Sequence, residues 1–423
     1  MPALTPPYVS LKPQFNDNVI PDQIALTESG AQLRSRTDAA APAPDFDVTP
    51  IAESLGQLIE AGTGAARYFF DRILAECPSI QSLFPIEMTG QSEQFFSEVI
   101  GIAGHLADGT AAAELLAELG REQRKFGITD AHYRAFTTAL LETARNFAGA
   151  QWRPDVEIAW RETVTYMSAS MRAAAAAEAA VAPAWWNAEI TAHELRAPGV
   201  AVLRLAPSQP LPYLAGQYLW VQVPKWPRQW RMFSAATAPR PNGIIELHVR
   251  AVPGGLVSNA LVYHSTVGDS VLLGRAGGSM TLADSDRDLL CVAGGTGLAP
   301  IKAIIEQAIT EAAECPRRIT LFVGARQYFD LYDLEDLQLL ESAYPALRVI
   351  PVLSDEHPAT SPGPNRLGSG ELAGMLPDVL LAHGSSMFTS HEAYVCGPPA
   401  MVSQTAAVLA ASIPPAQIHH DPI

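Results

Sequence analysis

Residues 289–300 read Leu289-Leu290-Cys291-Val292-Ala293-Gly294-Gly295-Thr296-Gly297-Leu298-Ala299-Pro300, and this stretch decides the fold of the C-terminal part of the chain. Its apolar run predicts a buried strand, the glycine-rich loop follows at once, and 301–312 carries helical spacing. Backbone amides of such a loop, at a helix N-terminus, can bind a pyrophosphate. Further apolar strands at 319–323, 349–353 and 393–396 extend the pattern to a parallel α/β sheet. The last of them ends in Cys396-Gly397-Pro398-Pro399, at a strand end where such sheets place ligands. A buried Cys alone is commonly a small core residue, but Gly-Pro-Pro turns the chain sharply and leaves this strand end open.

Upstream the texture differs. Segments 200–205, 218–223 and 245–252 alternate in polarity or are rich in β-branched residues, with Gly and Pro turns between them. They predict a small antiparallel β-barrel ending near Leu282. Within it lies Arg231-Met232-Phe233-Ser234. A cofactor with charged phosphates and an apolar ring would use these residue types. Arg231 can neutralise a phosphate, Phe233 can pack on an aromatic or sugar face, and Ser234 can donate to a ring nitrogen that gains charge on reduction. Gly254-Gly255-Leu256-Val257-Ser258 lets backbone N–H groups approach a diphosphate and adds a hydroxyl donor; a glycine pair also makes an ordinary β-turn, and both readings stay open. No single motif decides the chemistry. Their order and spacing point to hydride transfer between a nicotinamide and a flavin.

From about 47 to 182, apolar residues recur at spacings of three and four: Leu55, Leu58 and Ile59; Phe69, Phe70, Ile73 and Leu74; Leu115, Leu116 and Leu119. Pro78, Pro85 and Pro154 fall near expected helix starts and corners, and a last helix runs through Trp160, Val164, Met167 and Met171 into an alanine run before Pro183. Residues 1–46, with many Pro, Ser, Asp and Asn, read as a disordered tail. The expected fold is multidomain: an all-α domain over 47–182, an antiparallel β-barrel over 186–284, and an α/β parallel-sheet nucleotide-binding domain over 287–423.

Composition narrows the function classes. The 423 residues are 48% hydrophobic, enough for two or three cores. A formal charge of -16 argues against nucleic acid as a partner. No stretch is long and apolar enough to cross a membrane, and the N-terminus lacks the basic start and apolar core of a secretory leader, so a cytoplasmic location is expected. Cys77, Cys291, Cys315 and Cys396 are scattered, without zinc or iron–sulfur spacing.

Through Arg231-Met232-Phe233-Ser234, the 294–300 loop and Cys396-Gly397-Pro398-Pro399, the stretch 186–423 resembles the ferredoxin–NADP reductase superfamily, and Gly216-Gln217-Tyr218 fits the segment that precedes the flavin motif there. The resemblance implies FAD bound by Gln217, Tyr218, Arg231, Phe233, Ser234, Val249, Arg250, Gly254, Gly255, Leu256, Val257 and Ser258. It implies a nicotinamide nucleotide placed by Gly294, Gly295, Thr296, Gly297, Pro300, Cys396, Gly397 and Pro398, with Ser234 and Cys396 catalytic beside the hydride. Phe233 stands where the family usually has Tyr, which removes a hydroxyl contact and predicts weaker FAD retention. Arg326, after Gly324-Ala325, can pair with a 2′-phosphate, whereas Asp330 and Asp333 would oppose one. Family members with Gly-Ala-Arg often use NADH, and the choice between NADH and NADPH stays open.

An all-α domain ahead of such a module resembles flavohaemoglobin, a globin fused to the same flavin unit. The run from Arg121-Glu122-Gln123 through Gly127-Ile128 to His132-Tyr133 resembles that family's proximal segment, Leu83-Phe84-Pro85 the corner where a Phe packs on haem, and Gln91 the distal glutamine. The resemblance puts the haem-ligating histidine, ten positions before Tyr133, at Gln123, a weak neutral oxygen donor. The distal tyrosine falls at Phe70. The glutamate that pairs with the proximal histidine falls near Ala175, and Glu178 is three residues too late. Of the other donors in this domain, His105 and His132 read as surface or core polar residues, Lys125 as a solvated stem, and Cys77 is the only cysteine. Haem and other metals are therefore not expected.

The expected function is that of an FAD-dependent NAD(P)H oxidoreductase passing electrons to a separate acceptor: a monooxygenase, a haem or iron–sulfur protein, or oxygen. Two alternatives remain. One is a haem-containing nitric oxide dioxygenase with another ligand. The other is a sensor in which Phe70, Phe84, Phe95 and Phe126 line an emptied globin pocket, although these rings also read as ordinary core.

Overall fold

The computed structural model describes residues 46–83, 91–106, 110–355, 372–382 and 385–421. The expected tail up to 45, Phe84, Pro85 and the side chain of Gln91 lie outside them.

Helices come first: Ala52–Ala61, Thr63–Glu76, Gln91–His105, Thr110–Gln123, Asp130–Ala148 and Pro154–Ala179. Their apolar faces close one core around Leu58, Phe69, Phe136, Leu140, Trp160 and Met167. Trp160 is fully buried, and its indole N–H is satisfied by Ser54 Oγ at 2.8 Å. The Asp130–Ala148 helix starts on a reciprocal cap in which the Thr129 N–H donates to His132 Nδ1 at 3.1 Å. A Cβ on Gly120 would overlap the Met171 carbonyl oxygen, so the helices Thr110–Gln123 and Pro154–Ala179 cross with their backbones in contact.

A six-stranded antiparallel sheet follows, built from β1 (Trp186–Ala197), β2 (Val200–Pro207), β3 (Tyr218–Gln222), β4 (Arg231–Ser234), β5 (Ile245–Arg250) and β6 (Ser270–Gly277) in the order β4-β3-β6-β1-β2-β5. A bridge between Ala235 and Leu247 joins the end of β4 to β5 and closes the sheet into a barrel. Strand β3 alternates as a barrel wall must: Leu219 and Val221 are buried inside, and Tyr218, Trp220 and Gln222 are half-buried on the outer face.

The third unit is a six-stranded parallel sheet of β7 (Leu289–Gly294), β8 (Ile319–Ala325), β9 (Leu347–Leu353), β10 (Leu372–Ala373), β11 (Glu392–Cys396) and β12 (Ile418–His419), in the order β10-β9-β8-β7-β11-β12. Strand β7 is buried along its whole length, as its unbroken apolar run requires. The strand order reverses at β7, so a crevice opens at the C-terminal ends of β7 and β11. The helix after the glycine loop begins at Leu298 and ends at Thr310, earlier at both ends than helical spacing alone indicates. No helix among the described residues is long and apolar enough to cross a membrane.

Candidate active site between the barrel and the parallel sheet

Register between β7 and β11 sets Cys396 beside Ala293, and the glycine loop turns directly over that strand end. A Cβ on Gly297 would stand 2.5 Å from the Cys396 carbonyl carbon and oxygen, and one on Gly294 would stand 3.1 Å from Pro398 Cδ. Gly295 takes a left-handed backbone at φ 56°, which a glycine adopts without strain. The Arg250 guanidinium, at the end of β5, lies 3.5 Å from the point where a Cβ on Gly295 would be. Arg250 of the barrel and Gly295 of the parallel sheet, far apart in sequence, thus meet beside a small pocket lined by Gly295 and Leu298. Val323, Gly324 and the segment from Asp330 to Leu334 form its wall. Thr296 is half-buried in the loop, and Pro300 is buried in the first turn of the following helix. Burial, with the Asp421 carboxylate nearby, pushes the Cys396 thiol up to about 12, so it stays protonated at neutral pH.

On the barrel side, pairing of β3 with β4 sets Ser234 opposite Tyr218. Phe233 is half-buried, while Arg231 is exposed, with its guanidinium 2.8 Å from the Trp230 carbonyl. The Gln217 amide is occupied by backbone: it accepts from the Leu214 N–H at 2.9 Å and donates to the Gly278 carbonyl at 3.2 Å. Val249 and Val257 are buried in the barrel core, where their side chains can only support the wall. Gly254 is left-handed at φ 73°, and a Cβ on Gly255 would stand 2.5 Å from Ser258 Oγ. Asn259, which no motif singled out, fastens this loop by donating to the carbonyls of Val252 at 2.7 Å and Gly255 at 2.6 Å. The N-terminus of the Leu256–Tyr263 helix therefore sits behind a glycine pair with no side chain capping it. Its unpaired N–H groups and Arg231 are chemically suited to a diphosphate.

Across the seam runs a buried network that sequence reasoning missed. The Tyr332 hydroxyl and His248 Nδ1 are 2.8 Å apart, His248 Nε2 and Glu246 3.1 Å. Lys302 Nζ donates to Glu246 at 3.0 Å and to Asp333 at 2.7 Å, and Arg196 also pairs with Asp333. Burial alone would raise the Glu246 carboxyl, but His248 and Lys302 outweigh it and hold the group far below the usual carboxylate range. Asp333 was expected to oppose a 2′-phosphate. That is corrected: its side chain is fully buried and its charge is neutralised by Lys302 and Arg196. Asp330 accepts from the Gln327 N–H at 3.3 Å, while Arg326 is exposed at the end of β8.

Asp421 is a second missed residue. Its Oδ1 lies 3.6 Å from where a Cβ on Gly278 would be, and its charge acts on both Cys396 and Tyr218.

In the helical domain, Gln123 is the half-buried last residue of the Thr110–Gln123 helix. Phe70 is buried, its ring centroid 5.2 Å from Phe69 and 6.2 Å from Phe95. Phe69 in turn lies 5.5 Å from Phe96 and 5.9 Å from Phe136, so aromatic rings pack this part of the core against one another. His105 is exposed in the last turn of its helix, His132 is spent on the cap at Thr129, and Cys77 contacts Ser79 at 3.2 Å. Lys125 is not the solvated stem expected: its side chain is 4% exposed, ion-paired with Glu122, and its amine sits 3.6 Å over the Trp220 ring. The stem gains apolar contact, and the ring face replaces part of the lost hydration. Glu178 lies 3.8 Å from Arg275 of the barrel.

Comparison with known proteins agrees with this architecture. Residues 67–171 match the Globin family, 188–280 the oxidoreductase FAD-binding domain and 291–407 the oxidoreductase NAD-binding domain. The xylene/toluene monooxygenase electron transfer component of Pseudomonas putida is 33% identical over 224 residues, covering 53% of this chain and 61% of its own. The ferredoxin–NAD(P)(+) reductase component of the naphthalene 1,2-dioxygenase/salicylate 5-hydroxylase systems of Ralstonia sp. is 36% identical over 221 residues, covering 52% and 63%. The chain thus spans less than two thirds of the length of these relatives. A crystal structure of flavohemoglobin from Malassezia yamatoensis with bound FAD and heme superposes with a TM-score of 0.70 over 90% of this chain and 99% of that one. At 15% identity that likeness shows the fold alone.

Proposed function

We propose that this chain, a globin domain joined to FAD-binding and NAD-binding oxidoreductase domains, is an FAD-dependent NAD(P)H oxidoreductase that hands electrons to a separate acceptor protein and holds no haem. The observation that carries the reading is the approach of Arg250 to Gly295, which brings the end of a barrel strand against the glycine loop. FAD held there would supply the chemistry of taking a hydride from a nicotinamide and giving up its two electrons one at a time, with the proton passing to solvent. The chain's part is binding and placement. Arg231 and the N-terminus of the Leu256–Tyr263 helix would hold the diphosphate of FAD, and Phe233 would pack on an aromatic or sugar face of it. Ser234 donates a hydrogen bond where negative charge develops, and the protonated Cys396 thiol closes the opposite wall. Gly294, Gly295 and Gly297 let the second nucleotide approach the backbone.

The acceptor is proposed from the relatives, which are reductase components of oxygenase systems: a protein of that kind. Haem is left out because Gln123 is a poor donor, Phe rings fill the core beside Phe70, and His105, His132, Cys77 and Lys125 are exposed or engaged elsewhere.

The test is an absorption spectrum of the purified chain, expressed with ample haem, before and after anaerobic NADH. Flavin bands that bleach, with no Soret band, are expected. A Soret band that shifts on reduction and with nitric oxide would overturn the haem-free reading and restore a dioxygenase.

A further inference from the structure

The segment that follows Gln123 turns away from the helical core and into the barrel. Lys125 reaches Trp220 on the outer face of β3, and Trp220 meets Tyr218 of the same face with rings 6.2 Å apart and nearly perpendicular. Gly274 on β6 makes the room: a Cβ there would stand 2.8 Å from Trp220 Cβ and 3.5 Å from Lys125 Cδ. Tyr218 then lies flat against the end of β6, where a Cβ on Gly277 would stand 2.9 Å from its hydroxyl and one on Gly278 3.1 Å from its ring. Beyond Gly278 comes Asp421, whose charge acts on Cys396. One line of contacts therefore runs from Glu122 and Lys125 in the globin domain through Trp220 to Tyr218 and Gly278, with the Asp421 charge beyond it.

The cluster around this line is costly. Burial pushes the Glu122 carboxyl up and the Lys125 amine down. Arg275 pairs with Glu118 and sits 3.8 Å from Glu122, yet the buried Glu122 Oε1, Arg275 Nε and Trp220 Nε1 find no hydrogen-bond partner among the described residues. Apolar residues of equal volume would join the two domains with less desolvation. Stability alone does not account for such a cluster, and its position next to Tyr218 suggests what does.

We propose that Lys125, paired with Glu122, is a positioning residue for the flavin end of the active site: it seats Trp220, and Trp220 seats Tyr218. The globin domain then serves the reductase by shaping the FAD site from outside the barrel, through the segment after position 123. This rests on the reading of the barrel as an FAD site.

The full chain tests it in three variants: Lys125→Met, Lys125→Met with Glu122→Gln, and Lys125→Arg. The paired change removes both charges and leaves no buried carboxylate unmatched, so folding is kept even if Lys125→Met alone fails. FAD dissociation is followed by flavin fluorescence, beside KM for NADH and the thermal midpoint. The paired variant is expected to release FAD about 10-fold more readily, the order of one cation–π contact, with KM for NADH and thermal midpoint unchanged; Lys125→Arg restores retention. Wild-type FAD affinity in the paired variant overturns the inference and leaves the proposed function standing. Loss of FAD, NADH binding and thermal stability together also overturns it, since a merely structural contact would do that. Wild-type protein that binds no FAD overturns the proposed function and this inference with it.

Discussion

The Tyr332 hydroxyl lies 2.8 Å from His248 Nδ1, across the seam between barrel and parallel sheet. His248 stands between Glu246 and Arg250 on β5, and residues two apart on a strand share a face. One face of this strand therefore carries two members of the buried seam network and the guanidinium that borders the cleft at Gly295. The other face, Ile245, Leu247 and Val249, fills the barrel. A single strand thus carries part of the barrel core on one face and the seam to the parallel sheet on the other.

Lys302 is the cation at the centre of that seam. Lys302→Met leaves Glu246 and Asp333 buried with less charge to match them, and breaking a buried pair costs about 3–5 kcal/mol. Urea unfolding followed by circular dichroism is expected to show a loss of that order. Because the seam positions Arg250 against Gly295, KM for the nicotinamide should rise in protein that remains folded.

Glu246 gives the acid side of the stability curve its shape. Its carboxyl is held far below the ordinary value of 4.5, so the stabilisation it supplies is complete above 4.5 and is lost as pH falls through the folded value. The gap in unfolding midpoint between wild type and Glu246→Gln should persist from neutral pH down to 4.5 and narrow below it. A gap that widens on acidification would contradict this sign.

Arg326 is expected to bear on the choice between NADH and NADPH. With Asp333 neutralised by Lys302 and Arg196, the exposed Arg326 at the end of β8 is proposed as the cation that meets a 2′-phosphate. Arg326→Ala is expected to raise KM for NADPH about 10-fold, the size of one charge-assisted contact, and to leave KM for NADH within twofold. Steady-state reduction of a dye with each nucleotide checks this.

Restoring an imidazole at the position of Gln123 addresses the helical core. Rings of Phe69, Phe70, Phe96 and Phe136 pack on one another there, and a close-packed core does not reopen for a large planar ligand at little cost. Gln123→His, expressed with ample haem, is expected to show no Soret band. A stable haem complex of that variant would mean that the core still has room.

Much of the molecule was legible because short-range pattern fixes it. The apolar run of β7, the glycine loop and the strand ending at Cys396 imply a parallel sheet with its crevice there, and β3 and β5 alternate as barrel strands do. Helix starts were read less well: the helix at Leu298 begins inside the glycine motif, where spacing carries no signal. The environment of charged residues was not legible at all. Lys125 looked solvated and Asp333 looked set to oppose a 2′-phosphate, because their partners, Trp220 for one and Lys302 and Arg196 for the other, come from distant segments. Asp421 and Asn259 belonged to no motif, and only the fold brings them to the cleft and the loop beside it.

Gly274, Trp220 and Lys125 occupy one space from three segments and two domains. A side chain at the first collides with the second, and a smaller second leaves the third over a void. A change at any one of these positions therefore disturbs the other two. A reductase half joined to a globin half without Lys125 would present Trp220 without its cation, so the two halves are fitted to each other at this point.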